Sequence, residues 1–234
     1  MFSALPKTTA EALSWDWAHF EPFYLDLQNR PLTAETVTAW LKDWTAINQC
    51  LTEISSHLYV DAGANTADAT AEQRYLDFLE TVYPNILSAE QVLKEKLLQS
   101  GLNPPGFEVP LRNLRAEAAL FRTENLPLFN EEARLCNEYN KVIGAQTVSW
   151  QGQEATIAQL RPVYQQSDRS LREQAWRLAT TRPCADRATL NELWQKLLRL
   201  LLPIADNANP PDYRTYCWQT QDRLGHPPPD CLSF

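Results

Sequence analysis

The stretch after Thr33 limits the possible folds more than any other: Val37, Trp40, Leu41, Trp44, Ile47, Leu51, Ile54 and Leu58 recur at steps of three and four. Side chains at that spacing return to one face of a helix, whereas a half-buried strand would alternate every second residue. The spacing predicts one helix of about seven turns, whose apolar stripe demands other elements to cover it. Thr33 stands at the N-cap, and Leu32 and Val37 occupy the two positions of a hydrophobic staple, so the start is specified as well as the face. Asp61 to Asn65, with Gly63, is the expected end.

Similar patterns fill most of the chain. Thr70 and Gln73 have capping-box spacing ahead of Tyr75, Leu76, Leu79, Val82 and Tyr83, and Pro84 interrupts that face. Ser88 and Gln91 repeat the device for a helix carrying Val92, Leu93, Leu97 and Leu98, which Gly101 closes before Pro104 and Pro105. A further helix is expected from Leu111 to Glu124, and Asn130 is placed to cap one that ends at Gly144. Between Ala145 and Ile157 the period changes. Thr147, Val148, Trp150 and Thr156 flank Gln151-Gly152 and predict a small hairpin. Helices follow over 157–165, 168–181 and 185–207, the last with a wide apolar face through Leu190, Leu193, Trp194, Leu197, Leu198 and Leu201. Pro203 should kink or end it. A last helix over 212–223 precedes a proline-rich tail. With no repeat and no long linker, the expectation is an all-α fold: one elongated multi-helix array over 1–234 with a single hairpin near 145–157.

Apolar residues make up 44% of the chain and charged residues 21%, which is the globular range. The 21 Lys and Arg against 29 Asp and Glu give a net charge of −8 with no basic stripe, so nucleic acid is not an expected partner. The longest apolar cluster, Leu197 to Ala205, is broken by Arg199 and Pro203 and falls well short of the roughly 20 residues of a membrane span. With no cationic, apolar leader after Met1, a cytoplasmic location is expected. The five cysteines are odd in number and never closer than fourteen residues, which predicts reduced, packed thiols.

A zincin needs two imidazoles one helical turn apart, a third ligand, and a Glu to take a proton from the metal-bound water. No HExxH string occurs, and the three histidines, His19, His57 and His226, are 38 and 169 residues apart. There is no G-x-S-x-G, and Cys217 and Cys231 are merely near His226 in sequence. Six glycines, none in a G-x-G pattern, leave no nucleotide cradle. Asp16 with Glu21, and Glu131 with Glu132, read as helix-start charges that complement the dipole. Asp168 with Arg172, and Arg169 with Glu173, read as helix-stabilising pairs. Trp40, Trp44, Trp176 and Trp194 fall on apolar helix faces and are assigned to the core. No catalytic, cofactor-binding or metal residue is assigned.

Several non-catalytic stretches carry a resemblance: Leu76-Asp77-Phe78-Leu79, Lys94 to Gly101, Pro110 to Arg115, Leu120-Phe121-Arg122 with Glu124 to Leu128, and Asp168-Arg169 with Arg172-Glu173 and Ala175-Trp176-Arg177. Spread over most of Asp16 to Phe234, they resemble the N-terminal part of bacterial oligoendopeptidase F-type enzymes of the thimet oligopeptidase family. These are zinc metallopeptidases that digest short peptides inside the cell. Asn207 to Arg214 departs from the family's Asn-Ala-Gly-Phe before Asp-Tyr-Arg, and Pro203 and Gly225 to Pro229 are further departures. The resemblance implies a truncated, non-catalytic segment that walls the substrate channel of a complete peptidase. Zinc and peptide hydrolysis would then belong to the intact family member, leaving this segment inactive alone and prone to self-associate through exposed helix faces. The other expectation is a free-standing helical binding module descended from such an enzyme.

Overall fold

The structure, a computed structural model, describes residues 2–233. The long stripe folds as expected: α3 spans Val37–Ala64 and buries all eight of the residues that define it. Around it lie α1 (Thr9–Ala12), α2 (Trp17–Asn29) and α4 (Ala69–Thr81), with α5 (Tyr83–Gln99) packed against α2 and α4. α6 (Glu108–Leu120) continues the array from α5. A largest core runs through these helices, with Trp40, Phe20, Leu27, Ile47 and Leu97 fully enclosed.

α7 (Leu126–Gly144) and α9 (Arg187–Ala208) pair along their lengths, and α10 (Tyr213–Thr220) lies on α6 and α9. Between α7 and α9 the chain forms β1 (Thr147–Trp150), β2 (Gln153–Thr156), a 3-10 segment over Ala158–Gln165, and α8 (Arg169–Ala185). The strands pair antiparallel from Thr147 opposite Thr156 to Trp150 opposite Gln153. Their turn places both Gln151 (φ 53°) and Gly152 (φ 81°) in the left-handed region, the geometry that matches the twist of a two-residue hairpin. The fold is thus all-α with one small sheet among the described residues, and no helix is long and apolar enough to cross a membrane.

Several starts and stops differ from expectation, each because a nearby group outcompetes the predicted one. Thr33 does not cap α3 with its side chain; the Thr36 hydroxyl accepts from the Thr33 amide at 2.9 Å and donates to the Pro31 carbonyl, and α3 begins one turn later. Asp68, not Thr70, caps α4, accepting from the amides of Thr70 and Ala71 at 2.9 and 3.1 Å. A carboxylate is the stronger acceptor for those N–H groups. Ser88 lies inside α5, which already starts at Tyr83 with Pro84 in its first turn, where a missing amide costs nothing. Pro127 likewise opens α7, so Asn130 and the pair Glu131 and Glu132 fall within the helix. Asp168 and Arg172 do not pair: Asp168 caps α8 through the amides of Ser170 and Leu171, Arg172 donates to the carbonyls of Gln166 and Ser167, and Glu173 pairs with Arg177. Pro203 neither ends nor visibly interrupts α9. The carbonyl it leaves free, on Arg199, belongs to an exposed residue and can turn to water. Asn209 takes the left-handed conformation after α9 (φ 72°), and Asn is the residue that best tolerates it after Gly, so the departure there keeps the turn.

Two polar groups, the half-buried Glu90 and the buried Asn125, hold helices together. Glu90 of α5 accepts from Tyr24 Oη of α2 at 2.7 Å and from Trp44 Nε1 of α3 at 2.8 Å, joining three helices at one carboxylate. Burial pushes its pKa up against the opposing effect of these donors. Asn125 is fully enclosed, donates to the Ile204 carbonyl at 3.0 Å, and accepts from Asn207 Nδ2 at 2.7 Å, so the turn before α7 buttresses the end of α9.

Glu90→Ala is expected to cost about 2–3 kcal/mol in urea unfolding, because Tyr24 and Trp44 keep buried donors without an acceptor. The folded pKa of Glu90 is raised, so the folded state holds its proton more tightly than the unfolded chain. Stability should therefore fall as pH rises from about 4.5 through the folded pKa, and Glu90→Gln should flatten that decline. Asn125→Leu should cost on the order of 1–2 kcal/mol, since the enclosed hydrogen bond to the Ile204 carbonyl is lost, whereas the exposed Asn207 amide can turn to water.

Candidate functional site

The histidines are engaged separately. His19 sits in the first turn of α2, its Nδ1 2.6 Å from Oδ1 of Asp16, the residue that caps that helix. His57 projects from the exposed side of α3. His226 lies edge-on to the Trp218 ring at 5.1 Å and accepts from Trp218 Nε1 through its carbonyl. Among the described residues no three His, Cys, Asp or Glu side chains come together as a metal-ligand set, so the donors present do not fit a zinc site.

The cysteines are all unpaired, but the packed thiols expected from sequence are only partly found: Cys50 and Cys217 are half-buried, while Cys136, Cys184 and Cys231 are exposed. Cys136 and Cys184 stand on outward positions of α7 and α8. Although Cys136 is exposed as a residue, partial desolvation of its sulfur and the nearby Glu132 carboxylate both raise its pKa, which keeps it a thiol and a poor nucleophile.

The surface feature with the clearest binding character is a groove of about 550 Å³ between α3, α7 and α9. Its lining is mainly apolar, with Leu135, Leu193 and Leu197 at the base and Tyr59, Tyr139 and Trp194 at the edges. The two tyrosines are each 51% exposed and Trp194 is 59% exposed. The assignment of Trp194 to the core was therefore wrong, as was that of Trp176, which is 56% exposed on α8. The reason is the width of the apolar arc on α9. Leu193, Leu201, Ile204, Ala205 and Ala208 are buried on one side, whereas Trp194, Leu198 and Leu202, at steps of four, stay exposed beside them. Its neighbours, α7 along its length and α10 toward its C-terminal end, cover only part of such an arc. Two adjacent series, one through Leu193 and Leu201 and one through Trp194, Leu198 and Leu202, could have flagged an unpartnered face from sequence alone.

A second concavity, about 330 Å³, lies between α3, α5 and α6 beside Glu90. Lys94 and Glu117 pair across it at 2.5 Å, so its charges are used internally. Neither concavity carries a nucleophile with an adjacent base or an acid–base pair left over from structural duty. The α3/α7/α9 groove can accept aliphatic and aromatic groups by shape and burial.

No protein-family model and no curated protein matches the sequence. Solved structures do match. Pz peptidase A with an inhibitor superposes with a TM-score of 0.81 at 18% identity, over 100% of this chain and 42% of that one. A structure described as an oligoendopeptidase F gives 0.82 at 16%, over 99% and 41%. A structure described as an oligoendopeptidase F from Bacillus anthracis gives 0.78 at 14%, over 99% and 43%. This chain therefore spans about two fifths of the length of the structures it resembles. Likeness along its whole length establishes the architecture: the chain has the helical fold of one part of the oligoendopeptidase F structures.

Proposed function

We propose that this chain is the helical, non-catalytic part of an oligoendopeptidase F-like zinc metallopeptidase, acting on short peptides by shape and not by chemistry. One observation supports this most: the fold matches over 99–100% of the chain but over only 41–43% of each matched structure. The α3/α7/α9 groove is the surface suited to line a channel, because its exposed Tyr59, Tyr139 and Trp194 can hold apolar side chains of an extended peptide without hydrolysing it. Zinc chemistry belongs, in this reading, to a HExxH-bearing remainder of the polypeptide, and no step of it is assigned to residues of this chain. Five unpaired cysteines agree with a cytoplasmic location.

The purified chain is expected to cleave no quenched fluorogenic oligopeptide and to retain no stoichiometric zinc after dialysis. Zinc-dependent cleavage by the chain alone would overturn its non-catalytic role. A hydrophobic oligopeptide carrying a benzophenone should photolabel the groove next to Tyr139 and Trp194, and Trp194→Ala should cut that labelling several-fold. Labelling spread evenly over the surface, or unchanged in the variant, would remove the groove from the proposal.

A further inference from the structure

Residues 147–185 form a packing unit of their own. Val148, Leu160, Val163, Ala175 and Ala179 make a small core separate from both other hydrophobic cores. The hairpin, the 3-10 segment and α8 pack on one another, and beyond the unit the substantial contact is that of α8 with α9, the helix that directly follows it. No side-chain hydrogen bond or ion pair among the described residues leaves the unit except at Asp186.

The chain enters this lobe through Gln146 and leaves it through Asp186, and the two are joined. Gln146, 2% exposed, donates from Nε2 to Asp186 Oδ2 at 2.9 Å, and the same carboxylate oxygen accepts from Arg182 Nη1 at 2.6 Å. The backbone is weak at both crossings. α7 has ended at Gly144, so Gln146 carries no helical ladder forward. On the other side Asp186 is the single non-helical residue between α8 and α9. Pro183, three residues earlier, lacks the amide that would bond the Ala179 carbonyl. Few crossings, a private core and one side-chain latch are the features of a unit that moves as a body about its connections.

We propose that residues 147–185 are a hinged lobe that swings as one body on Gln146 and Asp186, the two crossings being tied to each other by their side-chain hydrogen bond and the lobe to Asp186 by Arg182. The movement bears on the α7/α9 pair directly, because Val142 and Thr189, within four residues of the two crossings, line a concavity of about 270 Å³ between those helices. This inference stands on packing alone and does not depend on the proposed peptidase role.

Hydrogen exchange of the intact chain, read by mass spectrometry at peptide resolution, tests it. In the native protein the amides of Gln146, Asp186 and Leu190 should exchange faster than those of the lobe core around Leu160 and Ala175 and those in the middle of α9. Gln146→Ala should speed exchange at the two crossings by about tenfold, the effect of one hydrogen bond, while protection within both the lobe core and α9 stays as it was. Asp186→Asn, which keeps an acceptor for Gln146 but weakens the Arg182 pair, should give a smaller increase at the same amides. Equal protection at crossings and core, no response to Gln146→Ala, or loss of protection throughout the lobe in that variant would each overturn the hinge.

Discussion

Burying Trp40 and Trp44 in the stripe of α3 takes two indole N–H groups out of water, and the positions of the neighbouring helices follow from where those donors find acceptors. Trp40 Nε1 donates to the Leu27 carbonyl at 2.9 Å, at the C-terminal end of α2. Lys96 of α5 reaches the same end, donating to the carbonyls of Leu27 and Gln28 at 3.0 and 2.7 Å and also to that of Arg30. A cation there satisfies orphan carbonyls and complements the helix dipole. Trp44 donates to Glu90, which also binds Tyr24. The apolar stripe thus supplies the driving force, and a few polar groups inside it determine how α2 and α5 sit on α3.

The rest of the molecule is built more loosely on this base. α7 and α9 share a partly covered face, the end of α9 is stitched to the turn before α7 by Asn125, and the lobe of hairpin and α8 is held at Gln146 and Asp186. The exposed row of Trp194, Leu198 and Leu202 is a large apolar surface for a lone chain. Such a face fits a fold that occurs in the matched structures as about two fifths of a longer polypeptide.

Helices with one narrow stripe were legible in the sequence, and α3 is the clearest: every residue of its predicted face is buried. The hairpin was equally legible, because Gln151-Gly152 between β-branched and aromatic residues has few other uses. Helix starts were read less well. At α4 and α5 several candidate caps stand within a few residues, and only the path of the backbone selects Asp68 over Thr70, or starts α5 at Tyr83 instead of near Ser88. The groove was missed because an apolar residue on an apolar face looks the same whether a neighbour covers it, as for Trp44, or not, as for Trp194.

By itself the sequence determined the all-helical class, the single hairpin, the resemblance to part of an oligoendopeptidase, and the lack of any HExxH string in these residues. Each of these rests on local spacing or on literal residue content, which need no knowledge of distant neighbours. Tertiary structure alone decided that Glu90 meets Tyr24 and Trp44, that Asn125 supports the end of α9, that Trp194 faces outward, and that Gln146 and Asp186 close a separate lobe. Those outcomes join residues 40 or more positions apart or depend on which helix covers which face, and spacing along the chain carries neither kind of information.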